Sequence, residues 1–406
     1  MRRTTCLLAA AAALVLTATA DAADDLAAAV DLLNEGWGAR AEARLQAIAE
    51  REPDRAEVYY QLAWARFHAE DFAGAEAWID RAVELAPDNA DFRVLQGHVV
   101  GRRAQTGSKL KALGRGRKCR ECYERALALD PGLVEAYVAL INFHLEAPGI
   151  VGGDEDTARD LALALADVDS VQHLLMTALV LEQVDADPDG AEAALRRAVA
   201  LADRTRPQDD APVRGFVGFC YRHDRLPAAE AMLRRHLDTP GRGPAVRRGL
   251  ADVYRRQKRW GDARRQWQAL VEVDSTRLDG LMGLGYLALA HRQWSEATAH
   301  FDTVHTADPA RTDALYQAAR SRLLAGQELA RAAADLRAYL AAEPNLWRPS
   351  AGWARVRLAE TLWKTGDADA AERELKLARK LRGHDEGLQR QIEQVEDAMK
   401  SPFDDF

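Results

Sequence analysis

The sequence predicts an all-α fold, an α-solenoid of about ten helix–turn–helix repeats closed by a C-terminal capping helix. Three observations carry this. In the stretch beginning at Ala56, the residues Tyr59, Leu62, Ala63, Ala75, Ile79, Ala82 and Pro87 stand at positions 4, 7, 8, 20, 24, 27 and 32 of a unit that then recurs. Prolines keep the same period: Pro53 and Pro87 are 34 apart, Pro309 and Pro344 are 35 apart. No segment alternates apolar and polar residues as a half-buried strand would.

The residue types follow from helix packing. Small residues at positions 8 and 20 let the two helices of a unit approach closely. Larger ones at 4, 7, 11, 24 and 27 fill the space between units, and spacings of three and four keep both sets on inward faces. Gly or Asp serves the turn, as in Gly366-Asp367. Proline at 32 cannot continue a helix and so opens the next unit.

The units run in order along the chain. The first has Leu26, Leu33, Ala41, Leu45 and Ile48; the second spans Ala56–Pro87. The third, residues 90–131, has Gly97 at position 8 and reaches Tyr123, Ala126 and Pro131 ten residues late, which predicts a lengthened second helix. The fourth has Tyr137, Leu140 and Ala158 with an extra loop at 147–153 (APGIVGG), and the fifth, with Leu174, Ala178, Ala191, Leu195 and Ala198, is weaker. These make an N-terminal array over 23–203. A polar connector, 204–212, leads to a C-terminal array over 213–383. Its units are marked by Gly218 and Ala229, Ala251 and Ala263, Gly285 and Ala297, Ala319 and Ala332, and Ala359 and Ala371. Residues 384–400 read as a polar capping helix, which such arrays need for solubility, and 401–406 as a frayed tail.

On these residues the chain is identified as a member of the tetratricopeptide repeat family over nearly all of 24–383. The extended third unit (AQTGSKLKALGRGRKCRECYERALALDP) and the APGIVGG loop resemble a group of exported bacterial repeat proteins of unassigned function. The resemblance implies a right-handed α-superhelix whose first helices line a concave groove, and a scaffold rather than an enzyme.

Arg2 and Arg3 precede an apolar run, Cys6–Leu16, followed by small residues at 18–20 and 20–22. This reads as a signal peptide over 1–22, too short to span a bilayer, and places the mature chain in the periplasm or outside the cell. No second long apolar stretch exists, so no transmembrane segment is expected after cleavage. The formal charge is −8 and becomes about −9 without residues 1–22, whose Arg2, Arg3 and Asp21 carry +1, which argues against nucleic acid as a partner.

Chemistry is sparse. Gly101–Lys109 only brushes against a phosphate loop, and Gly280, Gly283 and Gly285 sit inside a repeat. No H-E-x-x-H exists, no carboxylate pair stands out, and no cofactor or metal is implied. Cys119 and Cys122 form a C-x-x-C without a second pair or a βαβ context; packing on one long helix is the favoured role, redox chemistry the rival.

With the first helices lining the groove, positions 2, 5, 9 and 12 point into it. The candidate partner-binding residues are Tyr60, Trp64, Phe67, Asn142, Arg248, Arg255, Tyr286, Tyr316, Arg320 and Trp363, with Phe219 beside them. A mix of aromatic, cationic and polar side chains suits a protein or peptide partner, and equally a cell-wall or polysaccharide surface. For Tyr60, Trp64 and Phe67 packing against a neighbouring unit is an equal alternative. Two basic stretches interrupt the acidic chain: 101–125 with nine Lys/Arg and 234–265 with eleven. A solvated face balanced by acids on neighbouring units is the favoured account, and steering of an anionic partner the alternative.

Overall fold

In the computed structural model the residues described are 25–106, 109–239, 242–342, 345, 348–381 and 385–400. They hold twenty-one α-helices and no strand among the described residues. The predicted signal peptide at 1–22, the tail at 401–406, Pro344, Gly383 and the Gly107-Ser108 junction lie outside them.

The chain forms two compact units that succeed one another at Phe216/Val217. The first holds α1 (25–34), α2 (Gly38–Arg51), α3 (Ala56–His68), α4 (Phe72–Leu85), α5 (Ala90–Thr106), α6 (Lys109–Leu129), α7 (Val134–Glu146), α8 (Glu155–Ala164), α9 (Ser170–Gln183) and α10 (Pro188–Thr205). Helix α11 (Ala211–Arg222) spans the division. The second unit holds α12 (Leu226–Arg235), α13 (Gly243–Arg256), α14 (Trp260–Val271), α15 (Arg277–Ala290), α16 (Trp294–Ala307), α17 (Thr312–Ala325), α18 (Leu329–Ala341), α19 (Ala351–Lys364), α20 (Ala368–Leu381) and α21 (Glu386–Lys400).

The helices start where their capping residues stand. Asp71, Asp154, Asp169 and Asp187 precede α4, α8, α9 and α10, and each carboxylate accepts a backbone N–H of the first turn. Pro188 follows Asp187 at the opening of α10, where its missing N–H costs nothing. The turn inside a helix pair needs one residue in left-handed backbone. Glycine supplies it at Gly36, Gly152, Gly326 and Gly366, but Glu70, Ala186, Asp224, Lys258 and Arg292 do so in five other pairs.

The repeat register places the core. Ala75, Ile79 and Ala82 of α4 and Ala297, Phe301 and Val304 of α16 are all fully buried. At position 8 of the eighth repeat, a Cβ on Gly285 would stand 2.5 Å from the Phe301 ring, so only glycine admits the partner helix. In α21 Leu388, Ile392 and Val395 are buried against the end of the second unit, so this polar helix covers the last pair.

The third repeat departs most from the common length. Helices α5 and α6 have 17 and 21 residues, where α3 and α4 have 13 and 14. At about 1.5 Å per residue, seven more residues carry α6 about 10 Å beyond α4. Both helices of the pair are lengthened, where the ten extra residues predicted only the second. The APGIVGG segment forms a 3-10 turn, Gly149–Val151, closed by left-handed Gly152.

Candidate functional site

The sequence-predicted residues separate by burial. On α3, Tyr60, Trp64 and Phe67 are half-buried. Trp64 meets Phe67 edge-on at 5.5 Å and stacks on His68 at 5.3 Å; Tyr60 stacks on Phe92 of α5 at 4.9 Å. This stripe is thus a packed seam between the first helices of neighbouring repeats and not an open row of rings. The contact follows from Phe92 and His98, which α5 presents to the α3 rings.

In the second unit, Tyr316 is 5% exposed and belongs to the core beside Tyr339, which corrects its placement in a groove. Phe219 is likewise fully buried. Their rings fill space between helices that the repeat pattern leaves to be packed. Trp363 is half-buried against the same core as Tyr316, and Arg320 is half-buried with its guanidinium donating to Gln317 at 3.4 Å. Arg248 and Arg255 are exposed but ion-paired, with Asp279 at 3.1 Å and Asp252 at 2.5 Å. Tyr286, 44% exposed, rests edge-on against Phe301.

The first unit contains a cavity of about 560 Å³, walled by α5, the start of α6, α7 and the 3-10 turn, with Phe67 closing one end. Two predicted residues, Phe67 and Asn142, line it together. Small side chains open it. Gly101 and Ala104 of α5 face Ala112, Gly116 and Cys119 of α6, spaced by three and four residues so that each set shares a helix face. Gly116 brings α6 against the turn: a Cβ there would lie 3.2 Å from Val151. Phe143, Ala139, Pro148 and Val151 make the remaining wall largely apolar.

Polar groups at its base are paired. His98 Nδ1 lies 2.8 Å from the Tyr123 hydroxyl. Burial holds the His98 imidazole below its ordinary pKa and pushes the Tyr123 phenol far up, so both are neutral at pH 7. Burial also raises the Cys119 thiol to about 11 and the Cys122 thiol to about 12. Cys122 donates to Gln96 Oε1 at 3.4 Å, and Gln96 in turn donates to Asp80 at 2.7 Å. Both cysteines are buried, and a thiolate is disfavoured at each, which suits packing and not nucleophilic chemistry.

The walls from α5 and α6 are cationic. Residues 92–120 hold nine Lys/Arg and no acid. Some are neutralised from outside: Arg103 and Lys118 pair with Glu76, and Arg120 lies 3.2 Å from Glu124. Arg102, Lys111 and Arg117 have no carboxylate partner among the described residues, and Arg102 lies over the Phe72 ring at 5.2 Å. The acid-free run and the facing small residues were both legible in the sequence, but their meeting at a cavity was not.

An array of helix pairs with a recess in its first-helix side defines a protein-binding scaffold. Family models for the tetratricopeptide repeat match residues 32–98 and, in overlapping stretches, 221–276 and 248–312. The chain is a tetratricopeptide repeat protein. No curated protein matches it. Among solved structures, yeast Tom70 is 11% identical with a TM-score of 0.46, covering 95% of this chain and 98% of its own. YrrB, described as a TPR protein with an unusual peptide-binding site, is 16% identical with a TM-score of 0.35, covering 48% and 97%. TTC0263 of Thermus thermophilus is 18% identical with a TM-score of 0.35, covering 49% and 98%.

No helix among the described residues is long and apolar enough to cross a membrane.

Proposed function

We propose that this chain is an exported, non-catalytic scaffold that holds a segment of a protein or peptide partner in the first-helix side of its first unit. The cavity of about 560 Å³ carries the reading. It is open, mostly apolar, and walled by the first helices of successive repeats, the side on which a repeat array gathers residues from separate units. The Arg2-Arg3 start, the short apolar run and the small residues before Ala23 support export. The buried, protonated thiols of Cys119 and Cys122 support a role without covalent chemistry.

A photo-reactive amino acid placed at Asn142 tests this in intact cells. A protein adduct, on a chain whose N-terminus is Asp21 or Ala23, is the expected result. An adduct with glycan alone would transfer the function to a cell-wall adaptor, and an intact Met1 would remove export.

A further inference from the structure

The partner's chemistry can be read from the same cavity; the inference rests on the scaffold function just proposed. We infer that the cavity anchors an acidic peptide. An aliphatic or aromatic side chain enters between α5, α6 and α7, and carboxylates beside it in the peptide are held by Arg102 and Arg117.

Three features converge. The lining is apolar where it is deepest, with Phe67, Ala112, Phe143 and Val151, so the group that enters must be apolar. The rim is cationic and unneutralised. Arg102 lines the cavity, is exposed and has no carboxylate partner among the described residues. Leu113, Gly116, Arg117 and Arg120 form one stripe on α6 by their spacing of three and four. Gly116 meets Val151, and Arg120 lies against Gly152, so Leu113 and Arg117 border the same loop. Leu113 is 42% exposed and Ile150 of that loop 68%, so uncovered aliphatic surface flanks the unpaired guanidinium. An acid-free run of nine cations in a chain of net charge −8 complements carboxylates and repels basic peptides.

Shape selects a peptide over a lipid surface. A flat anionic bilayer cannot fill a recess, whereas a side chain projecting from an extended segment can. Asp154, Glu155 and Asp156 follow the 3-10 turn directly and would oppose an anionic plane pressed on Ile150.

The test uses the full mature chain and a fluorescein-labelled twelve-residue peptide with one Phe among glutamates, read by anisotropy at low salt. The expected result is saturable binding that weakens as salt rises. A peptide with Lys for every Glu should not bind, and one with Ser for Phe should bind at least about tenfold more weakly. R102E/R117E, on two exposed side chains, should lose at least about tenfold in affinity. Ala112→Trp, which fills the cavity, should do the same, and circular dichroism verifies that both variants fold. Equal binding of the acidic and basic peptides, or unaltered binding by R102E/R117E, overturns the inference. So does failure to bind either peptide with binding to phosphatidylglycerol vesicles that R102E/R117E abolishes. The two levels remain separable. A protein adduct at Asn142 whose yield ignores R102E/R117E leaves the scaffold standing and removes this anchor. Peptide binding without any protein adduct in cells does the reverse.

Discussion

The ring of Tyr123 on α6 occupies the space that a side chain at Gly97 on α5 would need: the three nearest atoms to a Cβ there all belong to that ring. Position 8 of the third repeat is therefore glycine because the helices of the long pair close on an aromatic residue. Gly97→Ala would gain up to about 1 kcal/mol in helix propensity. It must also displace Tyr123, an overpacking that costs about 1–3 kcal/mol. The expected outcome is a lower urea midpoint, with faster amide exchange concentrated in 90–129. A midpoint at or above wild type would contradict this packing.

Acid should loosen the same place. Burial favours neutral His98 in the folded state, so its folded pKa lies below 6.5. On acidification the unfolded chain takes up a proton first, near 6.5, and stability falls until the folded pKa is reached; above 6.5 the contribution is intact. His68, His144 and His300 shift in the same direction through burial. Urea unfolding at pH 7.5 and 5.5 should show wild type losing more stability than His98→Gln. One fully differential proton amounts to about 1.4 kcal/mol per pH unit. Equal losses would mean that His98 is already protonated when folded.

The thiols offer a direct check. With Cys119 and Cys122 buried and pushed up to about 11 and 12, neither presents a thiolate at pH 8. A disulfide-exchange reagent should modify them slowly in native protein and within the mixing time in denaturant. Rapid native modification of either would restore redox chemistry as a rival.

In the second unit, Arg322 is 2% exposed and reaches three carboxylates: Asp302 at 2.5 Å, Asp335 at 2.8 Å and Glu328 at 3.0 Å. Arg322→Met leaves these acids facing one another across a dry contact. Breaking a buried pair costs about 3–5 kcal/mol, and the lower end applies because Asp302 and Glu328 keep contact with water. Thermal unfolding of R322M and of R322M/D335L should show the second substitution recovering part of the loss. Additive losses would mean that the carboxylates do not depend on the arginine.

The helices and their register were legible because small residues must recur wherever two helices of a pair touch; Ala75 and Ala297 are both fully buried. Exposure on the first helices was less legible. The repeat pattern describes how a pair packs on itself, whereas Trp64 and Tyr60 are covered by Phe92 and His98 of the next repeat. Tyr316 failed as a groove residue for a related reason, since Tyr339 of α18 meets its ring. Arg322 gave no sign in the sequence, where an arginine on an amphipathic helix is read as solvated. The cavity could have been suspected from Gly101, Ala104, Ala112 and Gly116 on two overlong helices in an acid-free run, but only the fold shows that α7 stands away from them.

The left-handed turns have a consequence for how such a chain can change. Ala186, Lys258 and Arg292 each hold a backbone shape that suits glycine, at a joint between helices and away from the cavity. Glycine there should release about 0.5–1 kcal/mol apiece, the strain relieved less the added chain entropy. Because distant joints in an array act independently, the gains should add and appear as stepwise rises in melting temperature. The joints are a row of separate adjusters, by which heat tolerance can drift or be engineered one pair at a time while the surface offered to a partner keeps its chemistry.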